Sequence, residues 1–415
     1  MPRSVLNKTE LFTLVPPSEA WRILSSNLDA TTRREMVPLA RALDRVTVKN
    51  IEAPDNLPSF VRSTMDGYAV RASDTYGASE GLPALLRVVG EVPMGQAPEL
   101  SLSPGDAVLV HTGGMLPQGA DAVVMIENTQ MVGDDIEVFR PVAPGENLVQ
   151  IGEDVHLGEE ILPSGHLLRP QDLGALAGMG VVEVEVTARP RVAILATGDE
   201  VVPPSTRPAP GQIRDINTTV LCALVERAGG EALPLGIATD AYQAVLDAAQ
   251  HGVKIADALV IIAGSSVSTR DITAQVIDQL GEPGLLVHGV AMRPGKPTIL
   301  AVADGKPVLG LPGNPVSALV AAKLFLVPAI YRMAGLDAPR PSTVTARLSQ
   351  NIPSAPGRED YVPVRLVERD GETWGEPVFG KSNLIFTTVR ADGWVRVPLD
   401  LGGLLAGDKV TVILW

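Results

Sequence analysis

The sequence has 415 residues, and 34 Lys and Arg against 48 Asp and Glu give it a formal net charge of −14. Such a chain lacks the positive field that non-specific nucleic-acid binding requires, and its single cysteine excludes an intrachain disulfide framework. We find no signal-peptide pattern at the start and no unbroken apolar run of about 18 residues. We therefore expect a cytoplasmic protein of several domains, with Cys222 as a small buried apolar residue.

The first part of the chain has the pattern of a small β domain set between helical segments. Residues 15–54 are predicted to be helical, because Pro17-Ser18-Glu19 suits a helix start and Pro54 ends the run. Residues 55–155 carry short apolar segments between Gly, Pro and Asp. Their predicted strands are Leu85–Val89, Ala107–His111, Ala122–Ile126 and Ile136–Phe139. We predict that this β domain is inserted into an elongated linking domain formed by residues 15–54 and 156–187.

Residues 188–336 show alternating strand and helix patterns, which predict a doubly wound α/β domain with a parallel sheet. The predicted strands are Val192–Ala196, Ala232–Gly236 and Leu259–Ala263, and the predicted helices are Thr218–Ala228, Ala241–Gln250 and Ile272–Leu280. A hairpin of Ile299–Ala303 with Pro307–Leu311 and an apolar helix at Val316–Ala334 follow. Residues 337–415 predict a second small, barrel-like β domain, with strands at Val344–Leu348, Val362–Val367, Trp394–Val397 and Val410–Trp415.

Three polar loops follow predicted strands of the α/β domain. Ligands of such sheets bind beyond the carboxyl ends of the strands, where small residues let backbone amides approach a phosphate. The loops contain Thr197-Gly198-Asp199-Glu200, then Gly264, Ser265, Ser266, Ser268, Arg270 and Asp271, and finally Pro312, Gly313, Asn314 and Ser317. Helix capping is the alternative for any one loop. Three such loops at one sheet edge favour a ligand site.

Two further sets of charges suggest what the ligand carries. Arg293 and Lys296 lie in Arg293-Pro294-Gly295-Lys296-Pro297, a stiff turn that suits an oxyanion, with a solvated turn as the alternative. The carboxylates of Asp199, Glu200, Asp240 and Asp271 are ligands that Mg²⁺ accepts, although Asp240 and Asp271 could instead cap helices. The sequence contains no Cys/His set spaced for zinc and no Walker phosphate loop.

Several strings then occur together and in order along nearly the whole chain. They are Ser63–Val70 with its Met-Asp-Gly-Tyr-Ala-Val, His111-Thr112-Gly113-Gly114, Gly152-Glu153-Asp154, Thr197–Glu200, Arg293–Pro297 and Gly310–Ser317. This set resembles the molybdopterin molybdenumtransferases, the MoeA family that includes the gephyrin E domain. The resemblance implies a four-domain elongated subunit with a MogA-like α/β domain, and a homodimer whose active site includes the inserted β domain of the other subunit.

The resemblance also implies a reaction and roles for residues. The implied reaction inserts molybdate into adenylylated molybdopterin and releases AMP in the presence of Mg²⁺. Asp66, Thr112 and Asp154 match residues that reach in from the inserted domain, and Glu200, Asp240 and Asp271 match the acidic residues of the nucleotide and metal site. The residues that match those holding the incoming oxyanion are Arg293, Lys296, Pro297, Ser317, Arg358 and Ser382.

The chain departs from the family pattern at two places. Ser265-Ser266 stands where the family commonly has paired glycines, with Arg270 close by, and Val149-Gln150-Ile151 stands where arginines are common before Gly152. These changes leave open a tungstate-inserting paralogue. A molybdopterin adenylyltransferase also stays open, as does a dimeric pterin-binding scaffold without turnover.

Overall fold

A computed structural model describes residues 14–31, 33–263 and 267–415, with the side chains of residues 267–271 outside the description. The chain divides into two compact units. The large unit consists of the residues up to Glu35, Asp44–Val46 and Val186–Trp415, and the small unit consists of Met36–Leu43 and Thr47–Glu185. The multidomain α/β plus β class predicted from the sequence is confirmed.

The small unit is built on a six-stranded mixed sheet. In spatial order its strands are Ala122–Met125, Gly67–Val70, Asp106–Val110, Ala84–Glu91, Asp135–Val138 and Thr129–Val132. The four strands predicted for this region are therefore present. Gly67 is required where it stands, because a Cβ there would lie 2.0 Å from the Val124 carbonyl oxygen of the neighbouring strand. Alternate apolar residues of these strands, such as Tyr68, Val70 and Ile136, form the core.

Short pairings and helices complete the small unit. Its two-stranded pairings are Arg62–Ser63 with Leu148–Val149 and Ile51–Glu52 with Glu160–Leu162. The α-helix Pro170–Gly178 begins at the predicted proline, and the strand Glu183–Thr187 follows it. Single 3₁₀ turns occur at Leu39–Arg41, Ala72–Thr75 and Ile126–Asn128.

The prediction of helices throughout residues 15–54 is wrong. Of the residues described in this range, Pro17–Ser25 alone forms an α-helix, whereas Arg34–Pro38 and Ile51–Glu52 are strands. Proline at position 38 and the β-branched run at residues 46–48 oppose a continuous helix. The boundaries proposed for the linking and inserted domains stay predictions.

The large unit contains a six-stranded sheet whose strands we label β1 to β6. They are Arg191–Thr197 (β1), Glu231–Ala238 (β2), Ala258–Ala263 (β3), Pro283–His288 (β4), Ile299–Ala303 (β5) and Lys306–Pro312 (β6), in the spatial order β2-β1-β3-β6-β5-β4. The pairs β1–β2, β1–β3 and β3–β6 are parallel, whereas β5 pairs antiparallel with both β6 and β4. The chain order reverses between β1 and β3, which makes this point of the sheet edge a natural ligand site.

Helices cover both faces of this sheet. They are Asn217–Arg227, Tyr242–Ile255, Val267–Asp278 and a 19-residue helix at Pro315–Met333, with Pro17–Ser25 also packed against the core. The long helix consists of α-helical Pro315–Ala321 and Val327–Met333 joined by π-helical Ala322–Leu326. It is long and apolar enough to cross a membrane, but residues such as Val320, Phe325 and Ile330 are buried in the α/β core.

The C-terminal part of the large unit is a closed barrel, as the sequence predicted. Glu359–Arg369 pairs with both Glu372–Pro377 and Gly393–Val397, and Thr343–Leu348 and Lys409–Leu414 complete the ring. Small additions are the pair Ile352–Pro353 with Gly403–Leu404 and the short helix Phe386–Val389. The strand Met292–Arg293 pairs in parallel with Glu359–Asp360, so it joins the α/β domain to the barrel.

Candidate active site

The parallel strands bring several predicted residues to one edge of the sheet. β1, β2, β3 and β6 end at Thr197, Ala238, Ala263 and Pro312, and because they are parallel, these ends lie at the same edge. The loop after β3 cannot be placed there, because Gly264, Ser265 and Ser266 lie outside the described residues. The side chains of Ser268, Arg270 and Asp271 also lie outside the described part of the structure.

The loop after β1 has a tightly constrained backbone. The Thr197 hydroxyl is buried and donates a hydrogen bond to the Ile262 carbonyl oxygen at 3.1 Å, which ties β1 to β3. Gly198 has φ +137°, and a Cβ at that position would lie 2.8 Å from a Glu200 carboxylate oxygen. Gly198 and Asp199 also line a cavity of about 550 Å³ with Thr218, Thr219 and Thr239. The loop therefore offers small and hydroxyl-bearing residues beside the strand ends.

Three carboxylates crowd this edge of the sheet. The Asp240 backbone amide donates to Asp199 Oδ1 at 3.3 Å. Burial raises the pKa of Asp240, and the negative charges of Asp199 and Glu200 raise it further. The capping alternative for Asp240 fails, because the helix Tyr242–Ile255 has Ala241 at its N-cap and no side-chain capping bond. Asp199, Glu200 and Asp240 therefore repel one another. Asp240 does not cap the helix that follows it.

The predicted metal set of Glu200, Asp240 and Asp271 remains a prediction. Within residues 14–31, 33–263 and 267–415, apart from the side chains of 267–271, no group of three Asp, Glu, His or Cys side chains is arranged to hold a metal ion. Asp271 belongs to those excluded side chains. Its backbone lies inside the helix Val267–Asp278 rather than before it, which overturns the expected helix start at Ile272 and the capping alternative for Asp271.

A second cavity, of about 630 Å³, contains all the residues that the resemblance assigned to the oxyanion. We call it the oxyanion cavity, and its lining includes Arg293, Lys296, Pro297, Ser317, Arg358 and Ser382, together with Pro312 and Asn314 from the loop after β6. Asn314 is the N-cap residue of Pro315–Ala321 but makes no side-chain capping bond. The Gly313 carbonyl oxygen accepts a hydrogen bond from the Asn217 amide at 2.8 Å.

The arginines of the oxyanion cavity are held by one buried carboxylate. Asp360 is 3% exposed, and its Oδ1 accepts from Arg358 Nε at 2.8 Å. Arg293 Nη1 lies 3.8 Å from Asp360 Oδ2. The parallel pairing of Met292–Arg293 with Glu359–Asp360 places these groups together. Asp360 is the single acidic residue in the described cavity lining, so the cavity keeps an excess of positive charge.

The turn that carries Lys296 is fixed by its backbone. The Val290 amide donates to the Lys296 carbonyl oxygen at 2.9 Å, and the buried Thr298 hydroxyl donates to the Gly295 carbonyl oxygen at 2.7 Å. Gly295 has φ +111°, which favours glycine. Lys296 itself is exposed and forms no ion pair with the part of the chain that the structure describes. Its ammonium group is therefore available to an anion.

Two charged residues of the oxyanion cavity were not predicted from the sequence. Asp360 had no signal of its own, although it lies two positions after Arg358, at the start of the strand Glu359–Arg369. Lys381 also lines the cavity and directly precedes Ser382, so a basic residue beside a predicted oxyanion residue could have indicated it. The Val316 amide donates to the Ser382 carbonyl oxygen at 3.1 Å, which fixes this segment against the start of the long helix.

The small unit places Asp66 and Thr112 together. Asp66 Oδ1 accepts from the Thr112 amide at 2.8 Å and from its hydroxyl at 3.1 Å, and these bonds lower the pKa of Asp66. His111 Nδ1 lies 3.8 Å from the same oxygen. Asp154 is exposed and, among the residues described, forms no ion pair and no side-chain hydrogen bond. Asp66 is thus an exposed, ionised carboxylate whose orientation is fixed by its two hydrogen bonds from Thr112.

A doubly wound sheet with carboxylates at its edge and a cation-lined cavity beside a β-barrel defines a class of enzyme that handles anionic, phosphate-type substrates. Comparisons with known proteins name the family. The family descriptions "MoeA N-terminal region (domain I and II)", "Probable molybdopterin binding domain" and "MoeA C-terminal region (domain IV)" match residues 15–180, 193–332 and 345–415.

Relatives and solved structures agree with these matches. A molybdopterin molybdenumtransferase from Bacillus subtilis is 32% identical over 407 residues, covering 97% of this chain and 94% of the relative. The molybdopterin molybdenumtransferase 2 of Mycobacterium tuberculosis is 33% identical, with 91% and 94% covered. The crystal structure of a molybdopterin biosynthesis MoeA protein from Pyrococcus horikosii has a TM-score of 0.83 at 36% identity and covers 97% of this chain and 99% of its own. The chain belongs to the MoeA family, the molybdopterin molybdenumtransferases of molybdenum cofactor biosynthesis.

Proposed function

We propose that this protein inserts molybdate into adenylylated molybdopterin and releases AMP, in a Mg²⁺-dependent reaction in the cytoplasm. The observation that carries this proposal is the oxyanion cavity, which collects all six residues assigned to the incoming oxyanion. The names of the relatives support a molybdopterin-type substrate and a transfer of molybdenum.

The cations of the oxyanion cavity suit a small, doubly charged oxyanion. Arg358 is anchored by Asp360, so its guanidinium is oriented before any substrate arrives, and Lys296 lies on a fixed turn. Orientation before binding lowers the entropy cost of holding the anion. Ser317 adds a hydroxyl donor at the start of the long helix. In this proposal these groups bind molybdate and offset its repulsion from the substrate phosphate.

The carboxylates at the sheet edge fit a divalent cation. Their oxygens are the ligands that Mg²⁺ prefers, and Mg²⁺ commonly uses one or two carboxylates together with water and substrate phosphates. Burial raises the pKa of Asp240, and so does the negative charge of Asp199 and Glu200, which a bound cation would offset. Glu200, Asp240 and Asp271 are the residues we propose to hold it. When bound, Mg²⁺ would polarise the adenylyl phosphate.

The residues of the small unit enter this proposal through a homodimer. We propose that Asp66, Thr112 and Asp154 of one subunit complete the site of the other, as the family resemblance implies. The Asp66–Thr112 hydrogen bonds keep a carboxylate ionised and directed, which is the form needed to accept a proton or to position a polar substrate group. Thr197, Gly198, Asp199, Pro312, Gly313 and Asn314 are proposed to contact the pterin–nucleotide, together with Gly264, Ser265, Ser266, Ser268 and Arg270.

The experiment that tests the proposal measures AMP release from adenylylated molybdopterin with Mg²⁺ and with molybdate, tungstate or neither. We expect release that depends on molybdate and on the divalent cation. Release with tungstate alone would replace the proposal with the tungstate-inserting paralogue. ATP consumption with free molybdopterin would indicate the adenylyltransferase, and binding without AMP release would indicate a scaffold.

A further inference from the structure

The large unit contains a second cation-lined cavity, of about 960 Å³, between the helices of the α/β domain and the barrel. We call it the aromatic cavity. Its lining includes Trp394 and Trp415, whose rings meet edge to face with centroids 4.9 Å apart. Among the described lining residues no aspartate or glutamate occurs, whereas five are basic. The basic residues are Arg227, Lys323, Arg340, Arg396 and Lys409.

Lys323 lies at the centre of this arrangement. Its Nζ lies 5.3 Å from the Trp394 ring centroid and 5.1 Å from the Trp415 centroid, within the range of cation–π attraction. Its one hydrogen bond to the described chain is a long one, 3.4 Å to the Leu414 carbonyl oxygen. Burial, together with the positive charge of Arg227, lowers the pKa of Lys323 to about 8. The ammonium group is thus partly desolvated and forms no ion pair with a carboxylate in the part of the chain that the structure describes.

The backbone around Lys323 has an unusual form. The long helix changes to π-helical geometry at Ala322–Leu326, the segment that contains Lys323. Single π-helical turns inside α-helices are rare and frequently occur at functional sites. This backbone feature is independent of the charges in the cavity, and the five residues that it covers include Lys323.

The polar side chains of the cavity are mostly donors. Lys, Arg and Trp side chains donate hydrogen bonds and accept none. The indole N–H groups of Trp394 and Trp415 are buried and have no hydrogen-bond acceptor within the described parts of the chain. Of the five basic residues, Arg396 has a carboxylate partner, Glu359 at 3.4 Å, whereas the other four form no ion pair with a described aspartate or glutamate. Arg227 Nη2 donates to the Trp415 main-chain oxygen at 2.9 Å. Donors therefore outnumber acceptors among the described lining side chains, and none of these side chains is an aspartate or glutamate.

We propose that the aromatic cavity binds a small planar anion, an aromatic ring that bears a phosphate or a carboxylate, at a site separate from the oxyanion cavity. The ring packs against the tryptophans and the apolar side chains of the long helix, such as Leu324 and Val327. The anionic group lies against Lys323, close to Arg227, and accepts hydrogen bonds from the Lys323 ammonium group. The charge complementarity is local: five basic and no acidic side chains line the site, although the chain as a whole has a net charge of −14.

Binding is tested with phenyl phosphate and benzoate, by calorimetry and by quenching of tryptophan fluorescence in the full-length protein. Phenol and inorganic phosphate serve as the neutral ring and the anion without a ring. We expect both ring anions to bind more tightly than either fragment. Comparing the two ring anions identifies which head group the site prefers. No detectable binding of either ring anion, or equally tight binding of phenol, would overturn the proposal.

The variants locate the site. Lys323→Met keeps an apolar stem of similar length, and we expect it to weaken binding about tenfold or more, because a charge-assisted contact is lost. Lys254→Met removes an exposed lysine on the helix Tyr242–Ile255 and should leave binding unchanged. Trp394→Phe should reduce the fluorescence change while calorimetry still detects the ligand. Lys296→Ala should also leave binding unchanged. Binding that is lost in Lys296→Ala but kept in Lys323→Met would place the anion in the oxyanion cavity and refute the proposal without bearing on molybdate insertion.

Discussion

The large unit holds two cation-lined cavities, and they differ in how their charges are balanced. In the oxyanion cavity the buried Asp360 pairs with Arg358 and Arg293, so the protein itself supplies a counter-charge that orients the arginines. In the aromatic cavity no aspartate or glutamate lies among the described lining residues, and Lys323 contacts aromatic faces instead. Tyr361 lines both cavities, so they are close neighbours.

This difference predicts opposite responses when charges are removed. A cation that a built-in carboxylate holds is stabilised by that carboxylate and is positioned for an incoming anion. A cation buried without a partner costs folding free energy until a ligand arrives. Substitutions in the first cavity should therefore lower stability or oxyanion affinity, whereas removal of Lys323 should raise stability in the absence of a ligand.

The largest effect is expected from Asp360→Asn. The amide cannot offer Arg358 and Arg293 two anionic acceptors, so we expect a loss of about 2 kcal/mol in the free energy of unfolding. The molybdate concentration for half-maximal AMP release should also rise, because the arginines lose their orientation. Denaturant unfolding and the AMP assay measure the two effects. Asp400→Asn, an exposed change in the same barrel, should alter neither. Unchanged stability and molybdate dependence in Asp360→Asn would show that Asp360 has no positioning role.

Lys296→Ala should weaken binding of the oxyanion and leave the stability of the fold unchanged. Its exposed ammonium forms no ion pair with the described chain, so its removal takes a charge from the ligand site alone. We expect the molybdate concentration for half-maximal rate to rise about tenfold, with a melting temperature close to that of the parent. Lys254→Ala provides the control for a lost surface lysine. A molybdate dependence equal to that of the parent would remove Lys296 from the site.

Lys323→Met should raise the free energy of unfolding, whereas Asp360→Asn should lower it. Because the pKa of Lys323 in the folded protein is about 8 and its ordinary value is 10.5, the unfolded chain holds the proton more tightly. The charged side chain therefore destabilises the fold, and the penalty is fully present below pH 8 and disappears as the pH rises towards 10.5. After allowance for partial exposure, we expect Lys323→Met to be about 1 kcal/mol more stable at pH 7.

The pH dependence gives this prediction its control. The difference in melting temperature between Lys323→Met and the parent should narrow between pH 8 and pH 10.5, the interval between the two pKa values. Arg227, the other charged group that lowers the pKa of Lys323, stays protonated throughout. A variant that is less stable than the parent at pH 7 would show that Lys323 is already compensated and that the two cavities do not differ in this respect.

Much of the fold could be predicted from the sequence where local patterns decide it. The strands β1, β3 and β6 are apolar runs that end at polar loops, so both their type and the position of the ligand edge were predictable. The secondary structure of the segment after Pro17–Ser25 was not predictable in this way. It was predicted to be helical, yet Arg34–Pro38 is extended, because its strand is made by tertiary pairing that no local period reveals.

The site shows the same division. The six oxyanion residues were predicted from strings and a family resemblance, and the structure brings all six to one cavity. Asp360 could not be predicted, since its role depends on the pairing of Met292–Arg293 with Glu359–Asp360, two segments far apart in sequence. The aromatic cavity was equally hidden, because Lys323 and Trp394 meet through packing of the long helix against the barrel.

Lys381 offers the smallest and sharpest test of what the sequence missed. It lines the oxyanion cavity beside Ser382 but, among the described residues, no carboxylate holds it, unlike Arg358. A flexible exposed lysine contributes less than an anchored arginine, so Lys381→Ala should raise the half-saturating molybdate concentration only about two- to threefold. Lys409→Ala, a barrel lysine outside this cavity, controls for the change in net charge. An effect as large as that of Lys296→Ala would mean that substrate binding draws Lys381 into the site, whereas no effect at all would confine oxyanion binding to the residues that the sequence identified.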